Sequence, residues 1–312
     1  MVDSKQQWKA WLYLSPAIVL LLIFTVWPII NTVRLAFLED YNALSVLTGE
    51  QFKVGLGNFI KVLNYNDFLT CLKNTVFLTL LTVPLSTFLA LLIAVALNSI
   101  KPLQKFLQTI FFLPYVTNSI AIGMVFAAMF NIIGLRPDGA SADTWGIVNN
   151  IIMLFGGKPI NWINAQSGYW ANMAVMTVYI VWNALPFKIL ILLGGLQSIN
   201  KQYYDAARVD GTSRRRVFAR ITVPLLSPML AYVVITGFIG GFKEYSSIVG
   251  IFGEKMGPVG NPYSLNTMVG YIYEVLPKMD YGVASAAALI LFAIILVVTM
   301  INSWVSKKRV HF

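Results

Sequence analysis

The chain has 312 residues, 57% hydrophobic and only 12% charged, with a mean hydropathy of +0.70. Soluble domains carry about 25% charged residues, so this balance excludes an ordinary soluble globule and points to a protein built within lipid. The net charge of +10 is scattered over loops with no helix or sheet platform beside it, which argues against a nucleic-acid partner; one cysteine (Cys71) and one histidine (His311, beside the C-terminus) leave no basis for a disulfide, a metal centre or histidine catalysis.

Residues 1–10 are polar, and the apolar run behind them predicts a first membrane span over 11–30. Its apolar core is longer than a signal peptide's, and no small-residue cleavage site follows. Trp8, Trp11, Tyr13 and Trp27 lie near its ends, as interfacial aromatics do. A mixed stretch with Gly55-Leu56-Gly57-Asn58-Phe59 leads to a second span over 75–97. Pro84 lies inside it, tolerated where neighbouring helices satisfy the backbone. After a turn at Lys101-Pro102 comes a third span, 106–133, holding Pro114 and the polar Thr117-Asn118-Ser119. Residues 134–169 are too polar to enter lipid. The fourth span, 169–196, contains Trp182, Asn183, Phe187 and Lys188 around Pro186, which is expected to kink it. The fifth, 225–252, carries Gly237, Gly240 and Gly241, then Lys243-Glu244-Tyr245-Ser246; the sixth is 283–305, closed by Lys307-Lys308-Arg309. The expected fold is all-α: one polytopic domain over 1–312 with six spans.

Between the fourth and fifth spans lies the polar stretch 203–228. Asp205 is read at a helix N-terminus, where a carboxylate favours the dipole, and Ala206 and Ala207 are strong helix formers. Asp210-Gly211 breaks the helix, Thr212 or Ser213 caps a second one, and that second helix ends near Pro224. With the N-terminus inside, the inner segments hold thirteen basic residues against three acidic, and the outer segments eight against nine. The positive-inside rule therefore puts both termini and this loop in the cytoplasm.

Asp205-Ala206-Ala207, then Asp210-Gly211, and further on Ile221 and Pro224, resemble the coupling loop of ABC-importer membrane subunits. Asp205 stands where that family usually has glutamate, and Val223 where it usually has leucine. Gly55-Leu56-Gly57-Asn58-Phe59, Asn74-Thr75, Phe111-Phe112-Leu113-Pro114, Trp182 with Pro186-Phe187, Gly195 to Ile199 and Gly270 to Tyr273 extend the resemblance over most of the chain. Together they are similar to carbohydrate-uptake permeases of the maltose type, the first of the two membrane subunits. The resemblance implies a subunit of a binding-protein-dependent sugar importer in a bacterial cytoplasmic membrane. Its partners would be a homologous second permease, two ATP-binding subunits carrying the ATP and magnesium, and an extracytoplasmic solute-binding protein. No phosphate-binding G-x-x-x-x-G-K-S/T loop occurs here, so this chain is expected to bind no cofactor and to catalyse nothing itself. The coupling role falls on Asp205, Ala206, Ala207, Asp210, Gly211, Arg216, Ile221 and Pro224.

Lys243 and Glu244 inside the fifth span are the sharpest anomaly, since a charge near the bilayer centre costs at least ~2.5–3.5 kcal/mol. One reading makes them sugar contacts or half of an inter-subunit ion pair, with Tyr245 and Ser246 beside them. The other leaves both at the outer interface, with the lysine snorkelling. Trp182, Asn183 and Phe187 suit a sugar path, offering aromatic faces and an amide; an aromatic belt with interhelical bonds explains them equally well. Gly237 and Gly241, four apart, are read as a close-packing face. A secondary transporter is the competing class, but no inverted repeat is visible and the polar loop would go unexplained. A membrane enzyme lacks the residues for chemistry. Within the importer class, another small solute such as glycerol phosphate is the alternative cargo.

Overall fold

The computed structural model describes residues 7–44, 49, 51–100, 104–134 and 144–309. Lys101, Pro102 and His311, named above, lie outside them, as do Lys5 and Arg136 of the charge count. The chain divides into two compact units: residues 1–68 with 271–292, and residues 69–270 with 293–312.

In the first unit, α1 (Gln7–Leu21) passes through a π-turn, Leu22–Val26, into α2 (Trp27–Phe37). The apolar side chains of this long rod are almost all exposed, as lipid-facing residues are. α3 (Gly57–Asn64) packs back on α2 through the Gly55–Phe59 motif. Glu39 Oε1 accepts the Gly57 N–H at 2.8 Å, and a Cβ on Gly57 would stand 2.9 Å from that oxygen, so a side chain there would displace the carboxylate from this bond. Asn58 is fully buried and donates to the carbonyls of Ala36 and Leu38 at 3.1 and 2.6 Å. This motif is a structural clasp.

In the second unit the long helices α4 (Asn66–Ser99) and α8 (Tyr169–Ser198) form the centre. Between them in sequence come α5 (Gln104–Val116), α6 (Ser119–Phe130), a two-residue hairpin β1–β2 pairing Ile132 with Trp145, and α7 (Ile147–Leu154). After α8 come α9 (Lys201–Val209), α10 (Arg214–Val217), a π-turn Phe218–Thr222, α11 (Val223–Leu225), α12 (Ser227–Phe242) and α13 (Ser246–Phe252). The remaining helices, α14 (Met268–Val275) and α15 (Tyr281–Arg309), run through both units. One apolar cluster gathers Leu78, Met173, Met176, Tyr179, Ile248 and Leu265 around the first half of α8. Another gathers Ala90, Ala94, Leu192, Leu193, Leu196, Leu226 and Val233 around its second half.

Among the described residues, four helices are long and apolar enough to cross a membrane: Trp8–Phe37, Asp67–Ser99, Tyr169–Ser198 and Tyr281–Lys307. Arg214–Leu225 and Ser227–Phe242 make a fifth candidate if taken as one span bent by 67°. Two expected spans are not single helices. The stretch 106–133 breaks at Thr117-Asn118, where Asn118 is extended and its side chain accepts the N–H groups of Ile120 and Ala121, an N-cap that starts α6 afresh. The stretch 225–252 breaks at Lys243–Tyr245 between α12 and α13. By contrast α8 runs through Pro186, and α4 through Pro84, without interruption.

Candidate functional site

Where α4, α8 and α12 diverge between the two apolar clusters, the second unit holds a cavity of about 270 Å³. Its lining includes Thr82 and Ser86 of α4, Tyr115 of α5, Asn183, Phe187 and Lys188 of α8, Thr236, Gly237 and Gly241 of α12, and Glu244. Phe187 stacks on Tyr115, with centroids 5.8 Å apart and planes 19° off parallel. Asn183 donates to Ser119 Oγ at 3.3 Å. The small residues at 237 and 241 open the space. A Cβ on Gly241 would meet Thr79 at 2.8 Å, so α12 approaches α4 more closely than any side chain allows.

Glu244 sits in the break between α12 and α13. Its Oε1 accepts the backbone N–H groups of Tyr245 and Ser247, both at 3.1 Å, and its own carbonyl accepts the Thr267 hydroxyl at 2.9 Å. The break therefore leaves Glu244 on the cavity lining while its carboxylate satisfies the freed backbone of α13.

Lys188 was placed in the fourth span by the sequence but given no role there. It is nine-tenths buried or more and donates to Ser86 Oγ (2.6 Å), Thr87 Oγ1 (3.0 Å) and the Val83 carbonyl (3.2 Å).

Of the residues proposed for a substrate path, the structure gathers Asn183, Phe187 and Glu244 around one space. Trp182 lies apart, in an aromatic group with Phe126 at 5.6 Å and Tyr179 at 6.4 Å. Lys243 is exposed at the end of α12, Ser246 is exposed in the first turn of α13, and Tyr245 is packed against the Tyr179 cluster.

α9 and α10 form an exposed hairpin joining α8 to α12. Gly211 has φ +66, and a Cβ there would touch nothing within 4 Å, so its constraint lies in the backbone alone. The Thr212 N–H reaches back to the Ala207 carbonyl at 2.9 Å and the Gly211 N–H to Arg208 at 3.1 Å, closing the helix end around the left-handed residue. Tyr204 and Thr222 meet at 3.3 Å across the two arms.

Several local expectations are corrected. α9 begins at Lys201 under an Asn200 cap, so Asp205 lies mid-helix, pairing with Arg208 at 3.6 Å on the exposed face. Ala207 is buried within this chain, and Ala206 alone of the two alanines is exposed. Ser213 holds the cap position of α10 without a side-chain bond. The second helix does end near Pro224, at Leu225, and is reached through a π-turn containing Ile221, the chain turning at Leu226. Asp210 ends α9, and Arg216 projects into solvent.

Comparison with known proteins places the chain in context. Residues 83–311 match the family model described as "Binding-protein-dependent transport system inner membrane component". The chain is 30% identical to the arabinooligosaccharides transport system permease protein of Bacillus subtilis over 295 residues, 94% of this chain and 86% of that one. It is 28% identical to the lactose transport system permease protein of Rhizobium radiobacter, covering 96% and 95% of the two chains. It is also 28% identical to the trehalose/maltose transport system permease protein of Thermococcus litoralis, covering 96% and 94%. In fold it is similar to a chain of a bacterial ABC transporter involved in import of the acidic polysaccharide alginate, with a TM-score of 0.77, 22% identity, and 97% and 96% of the two chains covered.

Proposed function

The chain belongs to the family of binding-protein-dependent transport system inner membrane components, and on that premise we propose that it is one membrane-spanning permease subunit of an ATP-driven sugar importer. Its sugar relatives support an oligosaccharide as cargo. The subunit would form half of the translocation path and would work with a homologous second permease, two ATP-hydrolysing subunits and an extracytoplasmic solute-binding protein. ATP and magnesium stay on those ATPase partners.

The observation that carries this reading is one of connection. The exposed hairpin joins α8 directly to α12, the two helices that wall the cavity beside α4. A push on the hairpin therefore reaches both walls without an intervening flexible loop. Leu226, fully buried in the apolar cluster around the second half of α8, supplies the stiff end of that lever. Asp205, Ala206 and Arg216 are exposed on the hairpin and form the surface offered to the ATPase, while Gly211 and the Ile221–Pro224 segment set its shape. Asn183, Phe187 and Glu244 present an amide, an aromatic face and a carboxylate to the cargo, the groups that recognise sugar hydroxyls and C–H surfaces.

In this reading residues 1–312 form one transmembrane domain with six crossings. α5 with α6 and α12 with α13 supply the two interrupted ones, and both termini and the hairpin are cytoplasmic. Irregular backbone at membrane depth is tolerated where it lines a cavity, as the Glu244 break does. The test is ATP-dependent uptake of labelled oligosaccharides by proteoliposomes holding the assembled complex and its loaded binding protein. Uptake that needs this subunit supports the reading; uptake by this subunit alone, driven by an ion gradient, overturns it.

A further inference from the structure

We propose that Lys188 is a fixed cation of the translocation cavity which, set against Glu244, balances its charge so that uncharged cargo passes and anionic cargo is disfavoured. The inference rests on the sugar-importer reading and deepens it.

The bonds around Lys188 suit a charged ammonium. Three acceptors lie within 3.2 Å of Nζ, and a neutral amine has only two hydrogens to give. A lone pair would need a donor. Yet the Ser86 hydroxyl already donates to the Thr82 carbonyl at 2.6 Å and the Thr87 hydroxyl to the Val83 carbonyl at 2.7 Å. Both hydroxyl oxygens are thus turned to Lys188 as acceptors, and the three hydrogens of an ammonium match the three acceptors around it.

No carboxylate lies within 4 Å of Lys188 among the described residues. The acidic group on the same cavity is Glu244, whose Oε1 receives two backbone N–H groups and no cation. On this proposal two opposite charges line one space, each held by neutral dipoles. In a low-dielectric cavity such charges act on a passing solute more strongly than they would in water. Removing either one leaves the other unopposed.

The test places a thiol at Thr236, a cavity-lining position, in a Cys71→Ser background of the assembled complex. It measures reaction rates with anionic, neutral and cationic methanethiosulfonate reagents. The anionic-to-cationic rate ratio should fall by roughly fivefold in Lys188→Met and rise by a similar factor in Glu244→Gln, the effect of one unit charge several ångströms away. Lys188→Arg and the double variant Lys188→Met/Glu244→Gln should both return near the parent. If Lys188→Met does not assemble, the Glu244→Gln arm and the Lys188→Arg control still decide the matter. A ratio unchanged in the single variants, or a thiol that no reagent reaches, overturns the assignment. Because this readout uses no sugar, it fails separately from the cargo reading. In uptake assays, Glu244→Gln should raise the transport of a uronate-bearing oligosaccharide relative to a neutral one of equal length. Sustained neutral uptake with an unchanged ratio leaves the importer standing and removes the charge balance.

Discussion

Gly237 of α12 backs directly onto Lys188 of α8: a Cβ built on the glycine would stand 3.3 Å from Nζ and 3.1 Å from Val83 Cγ1. Three elements thus meet at one point, with the ammonium filling the space that a side chain on α12 would need. Gly241, one turn on, meets Thr79 still more closely, whereas Gly240 has nothing within 4 Å. The three glycines of one helix therefore differ in what they do.

That difference is measurable by thermal unfolding in detergent. Gly241→Ala should destabilise by about 1–3 kcal/mol through overpacking against α4. Gly237→Ala should cost less, because Lys188 can shift, but it should lower transport. Gly240→Ala should be neutral or stabilising by roughly 0.5–1 kcal/mol, as a helical glycine replaced in open space. Equal effects at all three positions would contradict the packing.

Asn74 predicts a second stability effect. Its side chain is buried, donates to the carbonyls of Ser264 and Asn266 at 3.0 and 2.9 Å, and accepts from the Tyr169 hydroxyl at 2.7 Å. Thr75 beside it accepts the Met268 N–H at 3.0 Å. Asn74→Leu leaves those partners unsatisfied at about 1–3 kcal/mol each, so the melting temperature should drop sharply. Asn74→Asp, which keeps only the acceptor, should fall between.

Lys243 and Glu244 are neighbours in sequence but not in role. Glu244→Ala removes a cavity group and the acceptor for two N–H donors, so uptake should fall several-fold at equal subunit abundance. Lys243→Ala, at an exposed helix end, should leave uptake kinetics unchanged. Normal uptake in Glu244→Ala would return the carboxylate to a purely structural place.

The orientation is tested with single cysteines at Lys158 and Arg215, both exposed, in Cys71→Ser. An impermeant reagent added outside intact cells should label the first and spare the second. Labelling at Arg215 would reverse the topology.

Much of this was legible in the sequence, and the exceptions have physical causes. Apolar length placed the four long helices, and the glycine at 211 announced its own backbone. Both hidden breaks fell where local capping outweighed apolar composition. Asn118 restarts a helix inside an apolar run, and Glu244 satisfies the backbone after α12. Asp205 was misplaced because Asn200, five residues earlier, caps the helix first. The cavity could not be read at all. Lys188 acquires its surroundings from Ser86 and Thr87, about a hundred residues away, and no pattern along the chain joins them.

The central claim is that the hairpin transmits nucleotide-driven motion to the cavity walls, and Gly211 is its hinge. At φ +66 any other residue is strained by about 1–2 kcal/mol, with asparagine the least affected. Asp205→Ala, which loses only an exposed pair with Arg208, should be milder unless the carboxylate meets a basic group on the ATPase. The decisive measurement is ATP hydrolysis by the reconstituted complex, with and without loaded binding protein. Gly211→Asp should abolish the stimulation while the complex still assembles, and Gly211→Asn should retain part of it. Wild-type stimulation in the Gly211→Asp complex would contradict the account.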